Sequence, residues 1–341
     1  MVARNKFVYS TSWNSLSEST SSTDEWFVRV SGVFHAYTSV DITTGDGSDM
    51  IWMSNNTNTV HSGAGNDFVD GGKYIDFIHG GAGNDTIYGD GQSSITFNPA
   101  TGEYGDTGET IIPLFQVYPS LPSPPIQYVG MADQLFGGAG DDRIFGGGGS
   151  DIIYGDDAEA QNTGPAGNDW IQAGSGDDVV YGGGGNDMIW GGLGNDMLFG
   201  QAGDDQMSGG AGIDRLWGGS GRDILTGGLE GDFFFCEASG RNQTSNVYAD
   251  HITDFTFAQG DKIVLNASNL LNWDGTLRLV QGSGNGDGWQ LGASDKGRFY
   301  FDTTSSTLYW DDNGANKTGG HHAIAVLESV TSLSSSSILV W

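Results

Sequence analysis

Residues 182–199 read GGGGNDMIW followed by GGLGNDMLF, which is one nine-residue unit written twice. Both copies fit the pattern Gly-Gly-x-Gly-x-Asp-x-U-x, in which U is a large apolar residue. The same unit is found at 137–145 (GGAGDDRIF) and at 209–217 (GGAGIDRLW). A fixed period of this kind indicates a repeat architecture, in which each unit packs against its neighbours.

Aspartate at position 6 of the unit defines the extent of the array. The main series runs from Asp133 to Asp232 with one step skipped at Ala160, and nine residues still fill that step. An earlier block keeps the same period, with Asn58 in place of one aspartate. We therefore expect two repeat blocks, 44–90 and 133–235.

Each position of the unit has a physical role. Glycines at positions 1, 2 and 4 permit positive φ angles and a tight turn, and the three residues after the aspartate form a short strand. Alternation along that strand sends U to one side and its two neighbours to the other. We expect one internal apolar stack of the U residues, consisting of Ile144, Ile153, Ile171, Val180, Ile189, Leu198, Met207, Leu216, Leu225 and Phe234.

Two units make one coil of eighteen residues, so aspartates eighteen apart face each other across neighbouring coils. On this count Asp133 pairs with Asp151, and Asp151 pairs with Asp169. Carboxylates at that range repel each other unless a cation lies between them. Carboxylate and carbonyl oxygens suit a hard divalent cation, and flexible geometry favours calcium over magnesium.

The repeat resembles the RTX (hemolysin-type calcium-binding) repeat of proteins secreted by type I systems of Gram-negative bacteria. The resemblance implies an all-β fold, a right-handed parallel β-roll of GGxGxDxUx nonapeptides with calcium between its coils and a β-rich C-terminal cap. Pairing each aspartate with the one eighteen residues later gives about ten calcium ions, which would reduce the formal net charge from −30 to about −10. The implied metal ligands are Asp49, Asp67, Asp85, Asp133, Asp142, Asp151, Asp169, Asp178, Asp187, Asp196, Asp205, Asp214, Asp223 and Asp232.

Two units depart from the pattern. Residues 53–61 contain no glycine and have Asn58 at position 6, and residues 71–79 have Tyr74 where the third glycine belongs. We expect no ordinary calcium site at either unit.

The remaining segments flank or interrupt the array. Residues 1–43 contain a strand-like run from Trp26 to Phe34 and either cap the open end of the roll or add a strand to a neighbouring subunit. Residues 91–132 are a proline-containing insertion, because the 48-residue spacing from Asp85 to Asp133 breaks the period. Loops of this length are usually functional or disordered.

Residues 236–341 lose the repeat and alternate like strands. The runs from Asp250 to Phe255, Phe299 to Asp302 and Leu308 to Gly314 resemble the segment that follows the roll in type I-secreted proteins. The end at 334–341 resembles an uncleaved C-terminal export signal. With no apolar stretch near Met1 that indicates a cleaved signal peptide, these features predict type I secretion to an extracellular or cell-surface location.

Several function classes are excluded by charge and motif. A net charge of −30 argues against binding to nucleic acid. The sequence contains no run of 18 apolar residues, the length that a membrane-spanning helix needs. The chain has no H-E-x-x-H, no G-x-S-x-G and no P-loop, the motifs of zinc proteases, serine hydrolases and nucleotide-binding enzymes. We therefore expect no enzyme activity and no catalytic residue.

Large apolar residues beside U predict two outward-facing ladders. One face is expected to carry Ile152, Tyr154, Trp170, Met188 and Trp190, and the other Val179, Tyr181, Met197, Phe199, Trp217, Phe233 and Phe235. Exposed apolar strips mark contact surfaces. They favour a structural protein that assembles into a homo-oligomer, filament, surface layer or matrix. An adhesin that binds a cell-surface polysaccharide through its aromatic rings is the alternative, and the chain's own insertion and C-terminal segment could instead cover the strips.

Overall fold

The computed structural model describes residues 6–10, 15–17, 26–30, 40–53, 57–72, 75–90, 95–98, 103–106, 131–156, 166–236, 249–270, 275–283, 298–311 and 321–341. This described part is built from strands and contains two short 3-10 helices, Ala267–Asn269 and Ser335–Ser337, but no α-helix. None of its helices is long and apolar enough to cross a bilayer.

The described strands are short, and most follow one another at intervals of nine residues. In chain order they are β1 (Lys6–Ser10), β2 (Ser15–Ser17), β3 (Trp26–Val30), β4 (Val40–Thr43), β5 (Met50–Trp52), β6 (Asn58–Ala64), β7 (Phe68–Gly72), β8 (Asp76–Ala82), β9 (Thr86–Asp90), β10 (Ile95–Asn98), β11 (Glu103–Asp106), β12 (Gln134–Ala139), β13 (Arg143–Gly148), β14 (Ile152–Tyr154), β15 (Trp170–Ser175), β16 (Val179–Gly184), β17 (Met188–Leu193), β18 (Met197–Ala202), β19 (Gln206–Ala211), β20 (Arg215–Ser220), β21 (Ile224–Leu229), β22 (Phe233–Phe235), β23 (Asp250–Ile252), β24 (Lys262–Leu265), β25 (Leu279–Gly282), β26 (Arg298–Asp302), β27 (Thr307–Asp311), β28 (His321–Leu327) and β29 (Ile338–Val340).

Successive strands of the repeat alternate between two parallel sheets. Sheet A has fifteen strands in the order β1-β3-β5-β7-β9-β13-β15-β17-β19-β21-β23-β28-β27-β26-β25. Sheet B has twelve, in the order β2-β4-β6-β8-β12-β14-β16-β18-β20-β22-β24-β29, and β10 pairs only with β11. Because each coil gives one strand to each sheet, the chain winds as a parallel β-roll, which confirms the expected fold class.

The U residues form the core between the two sheets. All ten that the sequence predicts to point inward are buried, and the largest exposure among them is 3 % at Met207. The same stack extends toward the N-terminus through Ile42 and Ile51 and toward the C-terminus through Ile252 and Ile263. Burial of one large apolar side chain per strand provides the apolar free energy that stacks the coils.

The two repeat blocks are one continuous stack. Strand β8 pairs with β12 and strand β9 pairs with β13, so the coil after residues 91–130 lies directly on the coil before them. The N-terminal strands continue the same stack, because β3 pairs in parallel with β5 and β4 with β6. The N-terminal segment therefore adds coils to the roll of its own chain, and Trp26–Val30 is a strand as expected.

The C-terminal strands close the other end of the roll. Strand β28 pairs in parallel with β23, and β29 pairs in parallel with β24, so both sheets gain a further rung. Strands β26, β27 and β28 then turn antiparallel, as alternation in the sequence suggests. These strands extend sheet A along the stack and do not lie across its outer face.

Candidate metal centre

Position 6 aspartates form two buried columns, one at the turns that precede each sheet. In each column, the backbone N–H of every residue but the last donates to Oδ1 of the aspartate one coil later, as in the 2.8 Å bond from Asp187 to Asp205. Column A precedes sheet A and consists of Asp49, Asp67, Asp85, Asp142, Asp169, Asp187, Asp205, Asp223 and Asp250. Column B precedes sheet B and consists of Asn58, Asp76, Asp133, Asp151, Asp178, Asp196, Asp214, Asp232 and Asp261.

All fourteen aspartates that the sequence predicts as ligands lie in these columns. The structure adds Asp250 and Asp261, which sequence reasoning missed, and it places Asp76 and Asn58 in column B. Asp76 was expected to lack an ordinary site, yet its carboxylate takes the same place as its neighbours, because Asp76 Oδ1 accepts a 2.8 Å hydrogen bond from the Asn58 N–H.

The pairing of Asp151 with Asp169 is wrong. Asp142 pairs with Asp169 and Asp151 with Asp178, each 27 residues apart. Strands β14 and β15, on either side of residues 157–165, are consecutive in the alternation between the two sheets, so the expected step of half a coil at Ala160 is wrong. Strands β12, β13 and β14 therefore each belong to the sheet opposite to the one that uninterrupted counting assigns, relative to the strands that follow.

The same shift corrects the predicted faces. Strand β14 pairs with β16 in sheet B, so Ile152 and Tyr154 lie on the face of Val179 and Tyr181. They do not share a face with Trp170 and the sheet-A residues that follow it.

In eight of the column aspartates the second carboxylate oxygen is left without a hydrogen-bond partner from the protein. Oδ2 is buried and accepts no hydrogen bond in Asp85, Asp142, Asp169, Asp187, Asp196, Asp205, Asp214 and Asp223. Burial of a carboxylate oxygen without a hydrogen-bond donor destabilises the fold. A native fold therefore provides another partner for that oxygen, such as water or an ion. Repetition in both columns indicates one common kind of partner for these eight carboxylates.

Glycine at position 1 of the unit leaves the space in which such a partner fits. A methyl carbon built on Gly200 would lie 2.5 Å from the Gly218 carbonyl oxygen and would also overlap Asp205 Oδ2. Two oxygens this close to one point are at most about 5 Å apart, a span that one Ca²⁺ bridges with bonds of 2.3–2.6 Å. An aspartate Oδ2 and a carbonyl oxygen from the next coil flank nine such glycines in this way, namely Gly71, Gly80, Gly89, Gly137, Gly146, Gly155, Gly182, Gly191 and Gly200.

The donor set fits a hard cation that takes carbonyl ligands. Within the described ranges no three His, Cys, Asp or Glu side chains gather closely enough to hold a metal by themselves. An ion in the turns would therefore combine column carboxylates with backbone carbonyls, the oxygen-rich and irregular coordination that calcium accepts.

Burial changes the protonation of the columns when no cation is present. It raises the pKa of Asp205 to about 7, and the neighbouring carboxylates Asp187 and Asp223 add to the rise, against a hydrogen bond from the Asp187 N–H. The pKa of Asp142 is raised to about 9, again chiefly by burial. An ion that stabilises the charged carboxylates competes directly with these protons.

Without calcium, the fold is expected to be more stable at pH 5 than at pH 8. Because the folded-state pKa of Asp205 is about 7 against an ordinary value of 3.8, the folded state binds more protons than the unfolded chain. This contribution to stability is full below about pH 4 and is lost as pH rises through about 7. Circular dichroism in excess chelator would show the β signal grow from pH 8 to pH 5, and an unchanged or weaker signal would contradict the prediction.

Sheet B carries a continuous aromatic ladder on its outer face. We use "sheet-B ladder" for the eight rings of His61, His79, Phe136, Tyr154, Tyr181, Phe199, Trp217 and Phe235. Neighbouring rings stack with interplanar angles of 20° or less, and their centroids are 3.8–4.8 Å apart. Each inner ring therefore packs its two faces on its neighbours and points its edge to solvent.

Sheet A carries a less regular set of rings. Trp170 packs against Trp190 at 5.2 Å and 51°, and Phe145 packs against Trp170 at 4.9 Å and 57°. The outward direction of the residues beside U is confirmed on both sheets, because these side chains are half-buried or exposed.

The comparison with protein-family models agrees with this site. The family model described as the RTX calcium-binding nonapeptide repeat matches four stretches of the chain, residues 61–95, 129–158, 163–198 and 199–234. A search of curated proteins finds no match.

Two solved structures resemble parts of the chain, and both are subunits of the mannuronan C5-epimerase of Azotobacter vinelandii. The AlgE6R2 subunit is 24% identical with a TM-score of 0.31, and the match covers 48% of this chain and 92% of that one. The AlgE6R3 subunit is 28% identical with a TM-score of 0.22, and the match covers 48% and 77%. On the family match and the two aspartate columns, this chain contains RTX calcium-binding nonapeptide repeats that wind into an all-β parallel roll.

Proposed function

We propose that the protein is a secreted, non-enzymatic scaffold that assembles with copies of itself into an extracellular fibre, surface layer or matrix once calcium has folded the roll. Nine to twelve calcium ions would be bound, because twelve position 1 glycines face a column aspartate and nine of them also face a carbonyl oxygen of the next coil. This range includes the ten expected from the sequence.

The distribution of charge is the observation that carries the proposal. Although the chain has 43 acidic residues and a net charge of −30, no outward position of sheet B from β6 to β24 is acidic. Two such positions are basic, Arg215 and Lys262. Copies that repel each other elsewhere can approach along this face, where the sheet-B ladder and exposed groups such as Phe77 (37% exposed) offer apolar contact.

Secretion is part of the proposal because the RTX repeat is typical of type I substrates. The last residues, which resemble an export signal, form β29 and pair with β24 in the folded roll. A chain kept unfolded at low cytosolic calcium would leave this segment accessible to the secretion machinery, and calcium outside the cell would then fold it.

The alternative function, binding of a cell-surface polysaccharide, is less well supported. Sugar rings stack on exposed aromatic faces, whereas the inner members of the sheet-B ladder pack their faces on each other, at 4.8 Å and 8° for Tyr154 and Tyr181. Retention of the folded protein on a polysaccharide column in calcium would favour this alternative.

Assembly is tested by sedimentation velocity, first in chelator and then in millimolar calcium. We expect large assemblies only in calcium. Replacing Trp217 of the sheet-B ladder by Ser should weaken assembly about tenfold or more, as loss of large apolar anchors does at interfaces, while calcium-induced folding persists.

Ile213→Ser is the matched control. This exposed apolar residue lies at a turn, outside both sheet faces, and its loss should leave assembly unchanged. A compact 35.9 kDa monomer for the parent protein in calcium would exclude self-assembly.

A further inference from the structure

The first two turns of column A depart from the rest of the column at position 1. Residues 44–49 read TGDGSD and 62–67 read SGAGND, whereas the next unit, 80–85, reads GGAGND. Thr44 and Ser62 thus stand where later coils have glycine. Both are buried, with exposures of 2% and 0%.

The Ser62 hydroxyl lies between the two groups that flank the open space in other coils. It donates a 2.9 Å hydrogen bond to the carbonyl oxygen of Gly80, the position 1 residue one coil later. The Ser62 side chain also interacts with the Asp67 carboxylate of its own turn. At Gly200 the matching groups are the Gly218 carbonyl oxygen and Asp205 Oδ2.

Thr44 repeats the arrangement one coil earlier. Its Oγ1 donates a 2.7 Å hydrogen bond to the carbonyl oxygen of Ser62, again the position 1 residue of the next coil. Two successive turns therefore present a hydroxyl to the carbonyl that elsewhere faces open space. A hydroxyl hydrogen satisfies that oxygen, and the Cβ and Oγ atoms fill the volume that glycine leaves free.

We propose that the Thr44 and Ser62 hydroxyls take the place of calcium, so that the rungs between Asp49 and Asp67 and between Asp67 and Asp85 close without an ion. The inference rests on calcium binding by the glycine-containing turns. It divides the roll into an N-terminal end held by hydrogen bonds and a body held by calcium, and it removes Asp49 and Asp67 from the calcium ligands that the sequence predicts.

The experiment counts calcium ions on the folded full-length chain by native mass spectrometry. Ser62→Gly and Thr44→Gly should each open a turn and bind one ion more than the parent protein. Gly200→Ser is the reverse change, and the folded variant should bind one ion fewer. Ser220→Gly is the matched control, because this exposed serine occupies position 3 of the same kind of turn, and its count should equal that of the parent.

Counts in Ser62→Gly and Thr44→Gly equal to the parent count would overturn the inference. If these variants do not fold in calcium, the ion count of Gly200→Ser tests the inference. A folded Gly200→Ser variant with one ion fewer than the parent supports the replacement of calcium by a hydroxyl. An unchanged count there, or failure of Gly200→Ser to fold, contradicts it. A parent protein that binds no calcium would instead refute the calcium part of the proposed function.

Discussion

Chelation of calcium at pH 7.5 is expected to abolish most of the β-sheet circular dichroism signal, and calcium added back at about 0.1–1 mM, the range of extracellular modules, should restore it. The structure gives the reason. Seventeen of the eighteen column residues are aspartates with exposures of 7% or less. Without an ion they must either remain charged in a buried site or take up protons, and either state costs stability at this pH.

Repulsion within each column adds to the cost of charge burial. Asp196 N–H donates to Asp214 Oδ1 at 2.8 Å, so consecutive carboxylates lie only one strand apart. An ion between the coils converts this repulsion into attraction, and its binding free energy becomes folding free energy. Because each coil contacts only its neighbours, loss of many ions weakens every interface that holds one.

Magnesium is the control for the chelation experiment. It requires near-ideal octahedral geometry and loses its water reluctantly, so the same concentration should restore little of the signal. If the β signal stays complete in excess chelator at pH 7.5, the columns do not depend on calcium and this account of the fold is wrong.

The nine-residue period predicts most of the fold and most of the candidate site, and each prediction from it that is wrong has a physical cause. Residues 157–165 have the length of one unit, so counting alone could not distinguish a loop from half a coil. The unit frame that skips an aspartate at Ala160 also has Asn162 at the U position. A polar residue cannot occupy the apolar stack, and that was the available signal for an insertion.

Asp250 and Asp261 were missed because they follow segments without the glycine pattern. Each is nevertheless followed two residues later by a buried isoleucine, Ile252 and Ile263. This Asp-x-U triplet is the part of the unit that the strand requires, since it places a carboxylate at the turn and an apolar side chain in the core. The glycines serve the turn, and other residues can replace them where the turn changes.

Gly192→Ala is expected to destabilise the calcium-bound roll by about 3 kcal/mol or more, measured by urea unfolding in saturating calcium. Gly192 has φ of +120°, and a methyl carbon there would overlap the Gly174 carbonyl oxygen of the preceding coil. An L-residue is strained at this angle, and the opposing atom is backbone, so no side-chain movement can relieve the collision.

Leu193→Ala is the matched control, because Leu193 is the next residue in the same turn and is only half-buried. Its expected loss is within about 1 kcal/mol. The damage from Gly192→Ala should be local, because a coil contacts only its two neighbours. Hydrogen exchange should therefore quicken first in β15, β17 and β19, while coils at the two ends stay protected. Equal urea midpoints for the two variants would show that close backbone approach at position 2 does not limit stability, and that glycine serves this turn for another reason.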